Sequence, residues 1–215
     1  MIEKIGTEHY EKLSKPNNVV IELLHVLKMQ QNNLTICEIG VGIGATTLAI
    51  CDNLSVGDKL YLFDYEDTLY ELMKDLNNKI CPKNKVISYG NSRKQFDSYA
   101  WSLASLAEKE DSLFDLVFLD GAHDFTIDYV AISLLKKLIN DKGFIVIDDL
   151  ELTFRDVCLH NRLQTEKYYE RYSLQQIRIP HMKKIINLLL EQDIDFKKIS
   201  ISNFDNSIAI YQKSK

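Results

Sequence analysis

The sequence predicts a doubly wound α/β fold, with a mostly parallel seven-stranded sheet that ends in a C-terminal β-hairpin. Short apolar runs alternate with amphipathic helical patterns between residues 34 and 148. These runs are hydrophobic at successive positions, which is typical of strands covered on both faces. Such strands joined by helices form a parallel sheet with right-handed crossovers.

The elements follow in order along the chain. A helix over 18–31 precedes the first strand, and the five predicted parallel strands are 34–39, 59–64, 85–89, 113–120 and 143–148. The helices between them are predicted over 46–53, 68–78, 95–109 and 125–139. After the fifth strand come a helical segment over 159–177 and a helix over 180–192. Two late strand-like runs, 196–202 and 207–211, flank an Asn/Asp turn and predict the hairpin.

Composition excludes several classes of protein. The chain has 215 residues, 46% of them hydrophobic, which suits one domain. A formal net charge of -5 gives no general attraction to nucleic acid or to an anionic membrane. The sequence has no apolar run near the ~20 residues that span a bilayer, and its N-terminus is charged, so we expect a cytoplasmic protein. The four cysteines form no CxxC pair, which argues against a zinc or disulfide framework.

A glycine-rich turn, "GVGIG", follows the first predicted strand and opens a helix. Glycines at this place permit positive φ and let a ligand lie against the backbone, beside the unpaired N–H groups of the helix. Gly40, Gly42 and Ala45 fit the GxGxxG/A dinucleotide fingerprint, with Asp64 at the end of strand two to hold ribose hydroxyls. Either a nicotinamide dinucleotide or S-adenosylmethionine fits this turn.

Glu38, two residues before the turn, favours the second cofactor. Its carboxylate suits an ammonium group better than a pyrophosphate. The resulting ExGxGxG pattern resembles the first motif of class I S-adenosylmethionine-dependent methyltransferases, and the resemblance runs from about residue 19 to 211. It implies a Rossmann-like methyltransferase fold and places the cofactor on Glu38, Gly40, Gly42, Gly44, Asp64, Asn91, Ser92 and Asp120.

Carboxylates follow the fourth and fifth strands. Asp120 ends "LFDLVFLD", and Asp148 and Asp149 end "FIVIDD". Neighbouring parallel strands lie ~4.8 Å apart, so acids at the same end of both can reach one ion. Oxygen ligands favour Mg²⁺ or another hard divalent cation.

This triad resembles the metal site of catechol-type and macrocin-type O-methyltransferases. The resemblance implies metal ligation by Asp120, Asp148 and Asp149. Where catechol-type enzymes have a lysine base, this chain has His123, which can accept a proton at neutral pH, so His123 and Asp120 are the predicted catalytic residues. Two of the acids also have a structural interpretation, since Asp120 and Asp149 could cap the segments that follow them.

The resemblance divides the chain, taken as one methyltransferase domain over 1–215, into four parts. These are an N-terminal helical segment (1–33), a cofactor-binding core (34–150), a helical lid or insertion (151–193) and the terminal hairpin (194–215). The Tyr- and Arg-rich stretch 162–178 predicts either a lid over the substrate or an interface in a homo-oligomer.

The predicted activity is metal-assisted transfer of a methyl group from S-adenosylmethionine to a hydroxyl of a small molecule, such as a sugar or a phenol. Three alternatives remain open at this point. They are a metal-independent N- or carboxyl-methyltransferase of class I, an NAD-dependent oxidoreductase, and a binding protein that kept the fold without catalysis.

Overall fold

The computed structural model describes residues 15–79, 86–160, 162–200 and 207–214. Its strands are β1 (Thr35–Ile39), β2 (Lys59–Tyr65), β3 (Val86–Asn91), β4 (Phe114–Leu119), β5 (Ile139–Ile147), β6 (Phe196–Ile199) and β7 (Ala209–Lys213). Its helices are α1 (Asn18–Gln30), α2 (Ala45–Asn53), α3 (Glu66–Lys79), α4 (Tyr99–Ala107), α5 (Phe125–Leu138), α6 (Phe154–His160), α7 (Arg162–Arg171), α8 (Leu174–Arg178) and α9 (His181–Leu189).

One seven-stranded sheet organises these elements, in the order β3-β2-β1-β4-β5-β7-β6. The first five strands are parallel, and β7 pairs antiparallel with both β5 and β6. The predicted α/β fold with a terminal hairpin is therefore confirmed. Strand order reverses between β1 and β4, and ligands of open α/β sheets bind beside the carboxyl ends of the strands at such a point.

The sheet is buried on both faces, as its continuous apolar strands predict. Alternate residues of β1 and β2 enter two separate hydrophobic clusters. Helices α4, α5 and α9 cover one face, and α1, α2 and α3 cover the other. Within the described ranges, none of the helices has the length and apolar character that crossing a membrane requires.

Several boundaries differ from the sequence prediction. β5 begins at Ile139, four residues before the predicted start at residue 143, and Ile139 pairs with Phe114 before an irregularity in the register. The helix predicted from residue 95 begins at Tyr99, because Asp97 accepts hydrogen bonds from both the backbone and the hydroxyl of Ser92 and so forms a turn.

The helical segment predicted over 159–177 consists of parts of three helices. Ser173 begins the last of them with a reciprocal capping box: its hydroxyl accepts from the backbone of Gln176, whose side chain accepts from the backbone of Ser173. The first predicted strand of the hairpin reaches into residues 201–202, which lie outside the described residues.

Candidate active site

A cavity of about 540 Å³ opens at the carboxyl ends of β1, β2 and β4. Most residues that the sequence assigns to the cofactor line it: Glu38, Gly40, Gly42, Gly44, Asp64, Asn91 and Asp120. Ser92 is not part of this lining, because its backbone and hydroxyl both face Asp97. The cavity lies at the switch point of the sheet, where the fold leaves room for a ligand.

The glycine turn brings two strand ends together. Gly40 has φ of 83°, and a Cβ atom at this position would lie 1.7 Å from the backbone oxygen of Asp120. No larger residue fits there without moving the backbone. Gly44, with φ of 86°, then takes the position before the first turn of α2. The turn therefore fixes the start of α2 against the end of β4.

Glu38 is buried beneath the turn, with 1% of its surface exposed. The hydroxyl of Thr47 donates to its Oε2 at 2.6 Å. Burial raises the pKa of Glu38 to about 8, and repulsion from Asp120 and Asp64 adds to this, against the opposing effect of the Thr47 hydrogen bond. A cationic group in the cavity would favour the ionised form of this carboxyl.

Asp64 holds the glycine turn in place. Its Oδ2 accepts from the backbone N–H of Val41 at 2.8 Å and of Gly42 at 3.1 Å. Its Oδ1 accepts from the backbone of Tyr65. Burial raises the pKa of Asp64, and these hydrogen bonds oppose that rise. The carboxylate therefore lines the cavity and also stabilises the glycine turn.

Asn91 lies at the end of β3 with an unsatisfied acceptor. Its Nδ2 donates to backbone oxygens of Ser92 and Asp97 at 3.3 and 3.5 Å. Its Oδ1 is buried and has no hydrogen-bond partner among the residues that the structure describes. A buried amide oxygen without a partner suits a ligand that carries a donor.

Asp120, His123 and Asp149 meet beyond the ends of β4 and β5. Ligand atoms of the three side chains all lie within 4.8 Å of one another. His123 Nε2 is 3.3 Å from Asp120 Oδ1 and 3.4 Å from Asp149 Oδ2, although neither contact has the alignment of a hydrogen bond. Burial lowers the pKa of His123, but the carboxylates around it outweigh that effect and raise it above 6.5.

The backbone at this cluster is unusual. His123 and Asp149 have φ of 54° and 56°, which is uncommon for residues other than glycine. Such conformations persist only when surrounding contacts hold them, and they are frequent at functional sites. Burial and the neighbouring Asp120 raise the pKa of Asp149, whereas His123 lowers it.

Asp148, the third predicted metal ligand, lies apart from this cluster. Its Oδ2 accepts from Asn17 Nδ2 at 3.2 Å, and its Oδ1 accepts from the backbone of Asp149. Burial raises the pKa of Asp148 to about 6, with repulsion from Asp120 and Asp149 adding to the shift. The structure therefore brings Asp120 and Asp149 together with His123 rather than with Asp148.

Four residues near the site have no place in the motifs. Lys15 lines the cavity, and Asn17 joins Asp148 to Thr46 through its side chain and its backbone N–H. Asn17 has no sequence signal, because its contacts span 29 and 131 residues. Tyr99 and Asp128 form a buried pair beside the His123 loop. Asp128 did carry a signal, since it interrupts the apolar face of the predicted helix 125–139.

The Tyr- and Arg-rich segment packs beside the same loop. The rings of Tyr168 and Tyr172 contact Phe154, which also contacts His181. The hydroxyl of Tyr172 donates to Asp124, the residue that caps α5. The side chain of Arg162 lies outside the described residues. The alternatives of a lid and an interface both remain predictions.

Comparison with known proteins identifies the family of the chain. A family model described as a methyltransferase domain matches residues 37–150, more than half of the chain. No curated protein sequence gives a significant match.

Many solved structures match this fold. The O-methyltransferase TomG of Streptomyces achromogenes, in complex with S-adenosylmethionine, gives a TM-score of 0.65 at 15% identity, covering 94% of this chain and 82% of that one. A Staphylococcus aureus protein assigned as a caffeoyl-CoA O-methyltransferase gives 0.62 at 16% identity, covering 95% and 88%. The Bacillus cereus O-methyltransferase bound to S-adenosylhomocysteine gives 0.61 at 14% identity, covering 93% and 82%.

Proposed function

Because the chain belongs to the methyltransferase-domain family, we propose that it transfers a methyl group from S-adenosylmethionine to a hydroxyl of a small molecule, with the help of a divalent cation. The acceptor class is a sugar or a phenol with adjacent oxygens. The observation that carries this proposal is that Asp120, which lines the same cavity as Glu38, also meets His123 and Asp149.

The cavity suits the charges of S-adenosylmethionine. Glu38 would accept hydrogen bonds from the ammonium group, and Asp64 would accept from ribose hydroxyls. Asn91 Oδ1, which lacks a partner among the described residues, would accept from the adenine amino group. TomG and the Bacillus cereus enzyme, which share the fold, bind this cofactor and its product.

The same cavity disfavours a nicotinamide dinucleotide. A pyrophosphate needs the N–H groups of the glycine turn, yet Val41 and Gly42 already donate theirs to Asp64. Three acids, Glu38, Asp64 and Asp120, line the space where the phosphates would lie. Their negative charge would repel the ligand.

The cluster at the ends of β4 and β5 fits a divalent cation. Two carboxylates and one imidazole lie close enough to share an ion, and each carboxylate is about 40% exposed and accessible from solvent. Carboxylate oxygens favour Mg²⁺ and Mn²⁺, and an imidazole nitrogen is a ligand for transition-metal ions. When bound, the cation would lower the pKa of an acceptor hydroxyl and help to orient it.

His123 is the proposed general base. Its Nε2 lies between Asp120 and Asp149, and Asp120 also lines the cofactor cavity. The two carboxylates would stabilise the imidazolium that forms when Nε2 takes the proton. The same position also suits a second role, in which Nε2 is itself a ligand of the cation. Cation affinity would depend on the imidazole in this second role, but not if His123 acts only as a base.

The strongest alternative is a metal-independent methyltransferase of class I that acts on nitrogen or on a carboxyl group. In it, Asp120, His123 and Asp149 would only hold the loops. The cytoplasmic location, the absence of nucleic-acid and membrane partners, and a homo-oligomeric state are further predictions from the sequence.

Calorimetry with Mn²⁺ tests the cation site, with Asp148→Asn as a matched control for Asp149→Asn. We expect Asp149→Asn to weaken Mn²⁺ binding at least about tenfold, and Asp148→Asn to weaken it less, because Asp148 faces Asn17. Formation of S-adenosylhomocysteine is then followed with a panel of catechols and hydroxylated sugars, with and without EDTA. Wild-type protein that binds no Mn²⁺ and keeps full turnover in EDTA would favour the metal-independent alternative.

A further inference from the structure

Two peptide N–H groups on either side of His123 are held by one buried pair of side chains. The backbone N–H of Ala122 donates to the hydroxyl oxygen of Tyr99 at 2.9 Å. The backbone N–H of Asp124 donates to Asp128 Oδ2, also at 2.9 Å. The hydroxyl of Tyr99 in turn donates to Asp128 Oδ1. Tyr99 and Asp128 therefore hold the backbone on both sides of His123.

The pair lies deep in the protein. Tyr99 is 7% exposed and Asp128 is 0% exposed. Asp128 is on the buried face of α5 with Ala131, Ile132 and Leu135, where an apolar side chain would pack without the desolvation of a carboxyl. Stability alone therefore gives little reason for an acid at this position.

The local backbone needs such support. His123 has φ of 54°, a conformation that is unfavourable for a residue with a Cβ atom. Gly121 lets the hydroxyl of Tyr99 approach, since a Cβ atom at Gly121 would lie 2.4 Å from that oxygen. The contacts of Tyr99 and Asp128 thus lie directly beside His123, which faces Asp120 and Asp149.

We infer that Tyr99 and Asp128 are positioning residues that act through His123. They fix loop 121–124 in the conformation that directs Nε2 towards the carboxylates of Asp120 and Asp149. The inference rests on the proposed function, because only that function gives the orientation of the imidazole a purpose, whether His123 acts as a base or as a ligand. A purely structural role would instead stabilise the packing of α4 on α5 without any connection to His123.

A double-mutant cycle separates these two roles. Mn²⁺ affinity is measured by calorimetry for wild type, Tyr99→Phe, His123→Ala and the double variant. If His123 is a ligand, we expect Tyr99→Phe to weaken Mn²⁺ binding about tenfold and to have no further effect once His123 is removed. A measurable loss of the same size in both backgrounds would overturn the inference, and no loss in either would leave the decision to the imidazole signals described next. Asp128→Asn gives a second route, with the same expected direction.

Two measurements on the metal-free protein keep the inference separate from the cation site. In Tyr99→Phe, we expect faster amide exchange at Ala122 and shifted imidazole signals of His123 in ¹H–¹⁵N spectra. Tyr61→Phe is the control, because Tyr61 contributes to the same core but packs against Phe114 at the other end of the sheet.

The outcomes are distinguishable. Imidazole signals of His123 that do not move in Tyr99→Phe, or that move equally in Tyr61→Phe, would overturn the positioning role whether or not Mn²⁺ binds. Failure of wild-type protein to bind Mn²⁺ would instead remove the cation from the proposed function, while the amide and imidazole measurements would still decide the role of Tyr99.

Discussion

At the ends of β1 and β2, the polar groups of the site already have partners within the protein: the glycine-turn amides donate to Asp64, and Thr47 donates to Glu38. At the ends of β4 and β5, the carboxylates of Asp120 and Asp149 face each other across His123, whose Nε2 has no aligned partner in the described part of the chain. We call the first region the cofactor half of the site and the second the acid half. Hydrogen bonds within the protein hold the groups of the cofactor half in place, whereas the carboxylates of the acid half carry negative charge that a ligand would balance.

The two halves also differ in how they hold their backbone. Positive φ values fall on Gly40, Gly42 and Gly44 in the cofactor half, where they cost little. In the acid half they fall on His123 and Asp149, which must be held by contacts. The comparison indicates that the cofactor half is specified mainly by local sequence and the acid half mainly by long-range contacts.

Gly40→Ala should have the largest effect, because Gly40 is where the two halves touch. The new methyl group would lie against the backbone oxygen of Asp120, which cannot move as a side chain can. We expect a loss of about 3 kcal/mol or more in the free energy of unfolding, measured by urea titration. Gly42→Ala is the matched control, since it also has positive φ but nothing lies within 4 Å of the added atom.

A loss of only about 1–2 kcal/mol is expected for Gly42→Ala, from backbone strain alone. If the two variants lost equal stability, the strand ends would not be in the close contact that joins the halves, and the comparison would lose its basis.

Glu38→Gln should weaken the binding of S-adenosylhomocysteine, which keeps the ammonium group, by about 10- to 100-fold in calorimetry. The loss corresponds to one charged hydrogen bond inside a buried site. Thr47→Val is the control, because it removes only the hydrogen bond that orients Glu38. Unchanged affinity in Glu38→Gln would place the ammonium group elsewhere.

The same substitution should change stability in the opposite direction. The unfolded chain ionises Glu38 near its ordinary pKa of 4.5, whereas the folded protein keeps the proton until about pH 8. Stability that depends on the neutral carboxyl is therefore lost as pH rises from 4.5 to 8. Glu38→Gln never ionises, so it should exceed wild type in unfolding free energy at pH 8 and match it near pH 4.

Proton release gives the smallest of these effects. Between pH 6 and 7 the empty site holds Glu38 mostly neutral, while a ligand α-amino group is still charged. Binding of S-adenosylhomocysteine should release about one proton, and affinity should rise up to about tenfold per pH unit. Calorimetry in buffers of different ionisation enthalpy measures the release, and Glu38→Gln should abolish it.

The cofactor half of the site can be predicted from the sequence more completely than the acid half. Glu38 and the glycines lie within seven consecutive residues, so a contiguous pattern was sufficient to identify the cofactor half. Strand ends also predicted the approach of Asp120 to Asp149. The orientation of Asp148 could not be predicted, because it depends on Asn17, 131 residues away. The pairing of Tyr99 with Asp128 likewise depends on how α4 packs on α5.

Paramagnetic relaxation by Mn²⁺ would test most directly whether the halves form one transfer site. The protein is loaded with S-adenosylmethionine carrying a ¹³C-labelled methyl group, and Mn²⁺ is added. We expect strong broadening of the methyl signal in wild type. In Asp149→Asn, at the same Mn²⁺ concentration, we expect the broadening to disappear and the signal to stay sharp. A methyl signal that stays sharp while calorimetry shows both ligands bound would contradict a shared site for cofactor and cation.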